Sequence, residues 1–235
     1  MINTFTFDSV LSSTYGVFIS GSGVYNAASR DITTLEIPGR DGVLTIDNGR
    51  FNMIKHEYPA FVKSTFKTNI QGLRNALMSK RGMKRLTDTY HTDEFYLAYF
   101  EDGLEVEPSK NLQAGELTIT FMRDPRRFLT SGESATTFTA DGTISNPTLF
   151  DARPLLRVYG TGQLGIGTDT ITISAADVYT DIDCEMRECY KGTTSKNSNV
   201  TFTGEDFPVL KPGSNGIDLG TGITKVEVTP RWYRL

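Results

Sequence analysis

One run of glycines has the spacing of a phosphate-binding loop. Gly160, Gly162 and Gly165 match the pattern G-x-G-x-x-G, in which the backbone approaches the pyrophosphate of a dinucleotide. That chemistry requires a helix directly after the glycines, because the N-terminus of the helix must face the phosphates. Residues 166–173 follow here, and they indicate a turn and then a strand. We therefore predict a glycine-rich β-turn and no bound cofactor.

Metal and acid–base chemistry would have few side chains to use. The chain has two histidines, His56 and His91, and neither has a Cys, Asp or Glu at ligand spacing. No G-x-S-x-G elbow occurs, although a Ser-His-Asp arrangement of distant residues stays open. Asp181, Asp183 and Glu185 would share one strand face at about 7 Å spacing, where they could hold Ca²⁺ or form a solvated polar face. We favour the solvated face, and we expect no catalytic residue, no metal site and no enzymatic activity.

Two basic clusters could contact phosphates. Their members are Lys80, Arg81, Lys84 and Arg85, followed by Arg123, Arg126 and Arg127. The net charge of −4 and the lack of aromatic residues within either cluster argue against nucleic-acid binding, so we expect no sequence-specific nucleic-acid partner. Because cations stabilise the C-terminal end of a helix, a helix end and subunit contacts account for these residues better.

The single tryptophan, Trp232, lies near the C-terminus. An exposed indole on a β-sandwich could stack on a sugar ring. A terminal aromatic residue more often closes a core or docks on a neighbouring domain, and we favour that interpretation.

These side chains must be positioned mainly by β-strands. Runs rich in Val, Ile, Thr, Phe and Tyr alternate with dipeptides that accept tight turns. The turn dipeptides are Asp41-Gly42, Asn48-Gly49, Asp102-Gly103, Asp141-Gly142 and Asn215-Gly216. In the first half of the chain we predict strands over residues 4–7, 35–37, 43–46, 51–57, 61–66, 95–100 and 117–122.

One helix, at about residues 69–81, interrupts these strands. Thr68 and Gln71 have the spacing of a capping box, which predicts the start of the helix. Ile70, Leu73 and Leu77 fall on one helical face and should pack on the sheet. The chain is therefore predicted to be mainly β, with an N-terminal β-domain over residues 1–125 that carries this helix.

The second half of the chain is expected to form a separate antiparallel β-sandwich over residues 151–235, after a linker or extended arm at 126–150. Its clearest strand is 181–187, where apolar and polar residues alternate. Cys184 and Cys189 would then lie on opposite faces, which predicts two free thiols in a reducing compartment. No signal peptide and no membrane-spanning apolar run is apparent, so we expect synthesis in a cytoplasm and no membrane partner.

A set of short segments is informative through its order along the chain. The segments are Phe5–Asp8, Thr14–Val17, Ile37–Gly42, Asn146-Pro147, Arg153–Gly162, Ile182–Glu185, Phe207–Asn215 and Pro230–Tyr233. In this order they resemble the distal tail proteins of long, non-contractile-tailed bacteriophages. Ile37–Gly42 matches the Pro-Gly-Arg-Asp-Gly loop that lies between two strands in that family. The resemblance spans nearly the whole chain.

The resemblance implies a structural role in the phage tail tip. It implies an N-terminal domain that assembles into a homo-hexameric ring and a C-terminal galectin-like sandwich at the ring's periphery. The ring would join the tail tube to the tip or baseplate and surround the genome channel. The implied partners are further copies of the chain, the tail tube protein, the tape-measure protein, a tail-associated lysin or tip protein, and a receptor-binding protein.

A structural role of this kind requires a surface that contacts neighbouring subunits. We expect them from the loop Pro38, Gly39, Arg40, Asp41 and Gly42, and from the basic residues Lys80, Arg81, Lys84, Arg85, Arg126 and Arg127. The alternative function is carbohydrate binding, in which the sandwich attaches to a host cell-wall saccharide with Trp232 as a weak stacking candidate.

Overall fold

The computed structural model describes residues 2–21, 23, 25–101, 103–104, 106–109 and 113–235. The chain divides into unit 1, residues 1–127 with Leu235, and unit 2, residues 128–234. Asp102 of the predicted Asp102-Gly103 turn lies outside the described residues. No helix in the described part is long and apolar enough to cross a membrane.

Unit 1 contains one α-helix and a succession of antiparallel strands among its described residues. The strands are β1 Phe5–Phe7, β2 Val10–Leu11, β3 Val17–Ile19, β4 Arg30–Glu36, β5 Val43–Phe51, β6 Ile54–Val62, β7 Lys84–Asp88, β8 Glu94–Phe100, β9 Val106–Pro108 and β10 Gly115–Arg123. The helix is α1, Phe66–Met78, and a 3-10 turn spans Ser12–Tyr15. A twisted sheet runs β2-β1-β7-β8-β10-β6-β3, while β4 and β5 form a sheet of their own.

The pairing of β6 with β10 forms the centre of this sheet. The two strands stay in register from Ile54 opposite Arg123 to Val62 opposite Gly115. The sequence predicts a break around Pro59, yet β6 is continuous through it. Pro59 accepts a hydrogen bond from Ser20 N on the side of β3, and β3 already ends at Ile19. Its missing N–H therefore faces no strand residue, which is why the proline is tolerated.

The helix packs on the sheet through the predicted residues Ile70, Leu73 and Leu77, which are all buried. It begins three residues earlier than the capping-box pattern indicates, so Thr68 lies inside the helix. Thr65 occupies the N-cap position and makes no side-chain capping bond. The prediction of a capping box was wrong because burial of the apolar face, rather than local capping, determines where this helix starts.

Unit 2 contains two facing antiparallel sheets. The strands from residue 127 onward are β11 Arg127–Leu129, which pairs with β23, then β12 Thr136–Phe138, β13 Gly142–Asn146, β14 Leu155–Gly160, β15 Gly162–Ile166, β16 Asp169–Ile173, β17 Thr180–Asp183, β18 Glu188–Lys191, β19 Thr194–Ser195, β20 Val200–Phe202, β21 Gly213–Leu219, β22 Ile223–Thr229 and β23 Tyr233–Arg234. One sheet runs β12-β22-β14-β17-β18-β19 and the other runs β13-β21-β15-β16-β20. Short 3-10 turns span Thr130–Gly132 and Asn197–Asn199. The apolar faces of both sheets contribute to one buried cluster.

The stretch at 126–150, expected as a linker, instead supplies an edge strand to each sheet of unit 2. β12 pairs with β22, and β13 pairs with β21. Ile144 is buried in the common core. One face of each edge strand is solvated, so Ser, Thr and Gly predominate in this stretch. That composition is also typical of a linker, which is why the sequence pattern did not predict these strands.

The predicted strand at 181–187 ends early. β17 stops at Asp183, and a turn with Arg187 at a φ of 56° leads into β18. The two cysteines therefore lie on opposite sides of a hairpin turn, and both are buried as free thiols. Their expected placement on opposite faces was wrong, because the chain reverses between them. Burial raises the pKa of both thiols, that of Cys189 to about 12.

Candidate assembly interface

Among the described residues, none forms a second layer over the β4–β5 hairpin. It forms a two-stranded sheet of its own, and every residue from 32 to 50 is exposed. An isolated two-stranded hairpin is marginally stable in water. A hairpin of this length that also exposes large apolar side chains is typical of a segment that docks on another surface.

One face of the hairpin is apolar near its tip. In the register of the two strands, Leu35 lies opposite Leu44 and Thr33 lies opposite Ile46. Directly opposed residues share a face, so Leu35, Leu44 and Ile46 lie together, and Ile37 continues the same alternation. Leu35 is 53% exposed and Ile46 is 48% exposed. We call Leu35, Ile37, Leu44 and Ile46 the apolar hairpin face.

Most of the remaining hairpin residues are polar and internally bonded, although Ile32 and Val43 are exposed on the opposite face. Asn48 donates hydrogen bonds to Asp31 and Thr33, and Arg50 forms an ion pair with Asp31 on the same face. Arg30 pairs with Asp47 at 3.0 Å on the opposite face. These contacts stabilise the half of the hairpin farther from the tip, and the apolar hairpin face lies towards the tip.

The predicted contact loop Pro38, Gly39, Arg40, Asp41 and Gly42 forms the tip of this hairpin. All five residues are exposed. The chain turns through a hydrogen bond of 3.1 Å from Arg40 N to the carbonyl of Ile37. The loop is thus placed beside the apolar hairpin face.

The predicted basic contact residues differ in how far their own chain engages them. Arg81 is exposed beyond the end of α1, and Lys80 pairs with Asp8 at 3.0 Å. Lys84 and Arg85 lie in β7, with the guanidinium of Arg85 3.9 Å from the Phe95 ring centre. Arg126 is held by Asp124, and Arg127 contacts Glu94 and the carbonyl of Leu235. Arg81 therefore presents the most accessible charge of this set.

A buried polar cluster lies in the core of unit 1, and sequence reasoning did not find it. Arg123 is 1% exposed, and its Nη2 donates a 2.7 Å hydrogen bond to the carbonyl of Asn26. In the described part of the chain, its Nε and Nη1 have no hydrogen-bond partner, and neither have the two ring nitrogens of His56, which is fully buried. The guanidinium lies 4.6 Å from the centre of the Tyr96 ring. The inward positions of β6 and β10 could have revealed this pair, because strict alternation places His56 and Arg123 on the core side.

Burial determines the protonation states in this cluster. Burial, together with the charge of Arg123, lowers the pKa of His56 to about 4, so the ring is neutral at pH 7. Burial also lowers the pKa of Arg123 from its ordinary value. Asp88 accepts hydrogen bonds from Tyr58 Oη at 2.7 Å and from the N–H groups of Tyr90 and His91. Asp88 therefore holds the turn between β7 and β8.

The carboxylates of β17 are buried and paired. Asp181 accepts two hydrogen bonds from Arg157, and Asp183 accepts two from Arg231. Burial alone would raise the pKa of Asp183, but the bonds from Arg231 and from backbone N–H groups outweigh it and hold that pKa below its ordinary value. The prediction of a solvated polar face was wrong, because Arg157 on the paired strand β14 and Arg231 in the segment after β22 cover these carboxylates. Within the described residues, no group of acidic, His or Cys side chains is arranged to hold a metal.

The glycine run forms a tight corner between strands. β14 ends at Gly160 and β15 begins at Gly162, beside the Gly220–Gly222 segment. A Cβ at Gly162 would clash with the carbonyl of Thr221, and the φ there is 133°. Strand β16 follows Gly165, so the run lacks the helix that a dinucleotide site needs.

The aromatic residues of unit 2 offer little free ring surface. Trp232 is 5% exposed and belongs to the core, so its indole has no face for a sugar. Lys225 Nζ lies 3.9 Å from the centre of the Tyr159 ring, and the Arg157 guanidinium lies 4.4 Å from that of Tyr179. The interpretation of Trp232 as core closure is confirmed.

No family model matches the sequence, and the curated proteins contain no match to it. Among solved structures, the chain is similar to the SPP1 Dit (gp 19.1) protein, described as a paradigm of the hub adsorption apparatus in phages that infect Gram-positive bacteria. The TM-score is 0.76 at 14% identity, over 100% of both chains. The baseplate of phage p2, in its activated conformation with Sr, gives a TM-score of 0.48 at 11% identity, over 100% of this chain and 99% of that one. The chain therefore has the fold of the SPP1 Dit protein along its full length.

Proposed function

We propose that this chain is a distal tail protein of a phage or prophage with a long, non-contractile tail. Six copies form a ring that joins the tail tube to the tail tip or baseplate and surrounds the genome channel. The fold shared with SPP1 Dit supports this assignment, because it covers both units without a missing or added domain. The observation that carries it is the apolar hairpin face.

The hairpin supplies the subunit contact in this proposal. Leu35, Ile37, Leu44 and Ile46 stay exposed in a single chain, and the described residues of that chain place no layer over them. A second copy is the natural cover, because closed rings of identical chains bury one surface of each subunit against a different surface of the next. Burying apolar area drives such association.

The charged candidates fit around this contact as its rim. Arg40 and Asp41 at the hairpin tip, together with Arg81 beyond the helix, are exposed charges that would set the register between subunits. Lys80, Arg85, Arg126 and Arg127 already have side-chain contacts within the chain, and Lys84 is half-buried in β7, so we assign them smaller roles in the interface.

The remaining partners follow from the position of the ring. In the virion it would contact the tail tube protein and the tape-measure protein on one side, and a tail-associated lysin or tip protein on the other. Unit 2 would lie at the periphery, available to a receptor-binding protein. The chain would be synthesised in the host cytoplasm before assembly.

Paired substitutions on the two faces of the hairpin test this proposal. Leu44→Asp places a charge on the apolar hairpin face, and Thr45→Asp places it one residue away on the opposite face. Light scattering of the unchanged chain and of Thr45→Asp should give about six times the chain mass of 26.0 kDa, while Leu44→Asp should give a single chain. Circular dichroism should show the same fold in all three. A monomeric parent chain at high concentration would contradict the proposal, as would an unimpaired Leu44→Asp ring.

A further inference from the structure

We propose that Arg123 and the turn at Asp88–His91 form a latch that fixes the direction of the β4–β5 hairpin before it meets another copy. The hairpin is joined to the sheet by residues 52–53 between β5 and β6 and by the longer segment between β3 and β4. Contacts from the body of unit 1 reach this segment at Gly21, Tyr25 and Asn26. They involve the side chains of Tyr90, His91 and Arg123.

Arg123 is the anchor of the latch. Its guanidinium is buried, and among the residues that the structure describes it has no carboxylate partner. The 2.7 Å bond to the Asn26 carbonyl satisfies Nη2, while Nε and Nη1 have no hydrogen-bond partner among the described residues. A buried charge without hydrogen bonds is unfavourable, so detaching the segment from Arg123 would leave the cation still less satisfied. The position of Asn26 and the burial of Arg123 are therefore coupled.

The turn at Asp88–His91 holds the other part of the segment. Tyr90 Oη donates a 2.7 Å hydrogen bond to the Gly21 carbonyl, and the ring centres of His91 and Tyr25 are 4.9 Å apart. Asp88 orients this turn by accepting hydrogen bonds from the N–H groups of Tyr90 and His91 and from the phenol of Tyr58. The hydroxyl of a core tyrosine thereby helps to position a surface segment.

These contacts preorganise the hairpin for docking. A hairpin with a fixed direction loses less conformational freedom when it docks, so a ring forms at lower concentration. The latch also gives the buried arginine a role that an apolar residue of similar size would lack. The effect on assembly rests on the proposed function, whereas the fixed direction of the hairpin does not.

Distances between two spin labels test the latch in a single chain. One label is placed on the hairpin tip through Arg40→Cys and the other on α1 through Lys67→Cys, both at exposed positions. The native cysteines are buried and do not compete for the label. The measurement uses the Leu44→Asp background, so that neighbouring copies do not hold the hairpin.

Arg123→Met should at least double the width of the distance distribution. Arg187→Met removes an exposed guanidinium from unit 2 and should leave the width unchanged. With Leu44 restored, Arg123→Met should raise the concentration for half-assembly about tenfold. An Arg123→Met distribution as narrow as that of the parent would overturn the latch whether or not rings form. Failure of every chain to assemble would contradict the proposed function alone.

A second variant covers the case in which Arg123→Met does not fold. Tyr25→Ala removes a ring that is 74% exposed and contacts His91, without altering the core. It should broaden the distribution by a smaller factor than Arg123→Met. An unchanged distribution in Tyr25→Ala, with Arg123→Met unfolded, would also reject the latch.

Discussion

β5 and β6 are consecutive strands of nine residues each, and they have opposite surroundings. β6 alternates strictly between buried and exposed residues, because α1 and the neighbouring strands cover its inner face. β5 is exposed along almost its whole length, although it carries Val43, Leu44 and Ile46. Apolar content alone therefore does not make a core strand. The difference lies in whether the same chain supplies a second layer.

β5 and β6 therefore have different roles in stability and association. β6 stabilises unit 1, and its side chains should determine the free energy of unfolding. β5 contributes little to that free energy, and its apolar side chains should matter when chains associate. The following predictions test this division from the largest expected effect to the smallest.

The largest difference in the free energy of unfolding should appear when a carboxylate is introduced into each strand. Val62→Asp in β6 places a carboxylate at a fully buried position and should cost more than about 4 kcal/mol, enough to unfold unit 1. Ile46→Asp in β5 should change the free energy of unfolding by less than about 0.5 kcal/mol. Urea unfolding followed by far-ultraviolet circular dichroism, at a concentration where the chain is single, measures both. A similar loss in the free energy of unfolding at the two positions would contradict the different roles of β5 and β6.

The pH dependence of the free energy of unfolding should also arise from a residue of β6, the buried His56. The pKa of His56 is about 4 in the fold against 6.5 for an unperturbed histidine, so folding favours the neutral ring. The associated stability is complete above pH 6.5 and is lost as the pH falls towards about 4. At about 1.4 kcal/mol per unit of pKa shift, the loss is about 3 kcal/mol.

Substitution of His56 isolates this contribution. His56→Phe should lose about 3 kcal/mol less than the parent between pH 7 and pH 4, measured by urea unfolding at each pH. An equal loss in both chains would assign the pH dependence to other groups. The hairpin should contribute little between pH 7 and pH 4, because the hydrogen bond from Arg50 holds the pKa of its Asp31 below the ordinary value of 3.8.

The smallest effect concerns the helix that covers β6. A Cβ at Gly72 would lie 2.8 Å from the Tyr15 ring, so Gly72→Ala should destabilise unit 1 by about 1 kcal/mol despite the higher helix propensity of alanine. Thr68→Ala is the control, because Thr68 lies inside the helix and is exposed. It should be neutral or slightly stabilising in thermal unfolding. A loss of about 1 kcal/mol at Thr68 would instead support the capping role that the sequence suggested.

Sequence patterns predict the parts of this fold that depend on local alternation. The apolar face of α1 and the inward residues of β10 follow periods of 3.6 and 2, and the hairpin tip follows turn chemistry at Asp41-Gly42. Whether β5 is buried or exposed does not follow from such patterns. Its apolar residues predict a core strand as readily as a docking surface, and only the three-dimensional arrangement shows that nothing in the described chain covers them.

Long-range charge pairing was equally invisible in the sequence. Arg157 and Arg231 lie far along the chain from the buried carboxylates that they satisfy, Asp181 and Asp183. Without those partners, a solvated face is the reasonable interpretation of alternating acids. Arg123 presents the opposite case, since its partner is a backbone carbonyl that carries no signal in residue type.

The mass of the assembly with and without the hairpin tests the central claim most directly. Sedimentation of the full chain should give a species of about six chains, while a chain with residues 32–50 replaced by a short Gly-Ser turn should stay single. Both should show the same far-ultraviolet circular dichroism apart from the lost hairpin. A full chain that stays single at every concentration, or a shortened chain that still forms rings, would contradict the account.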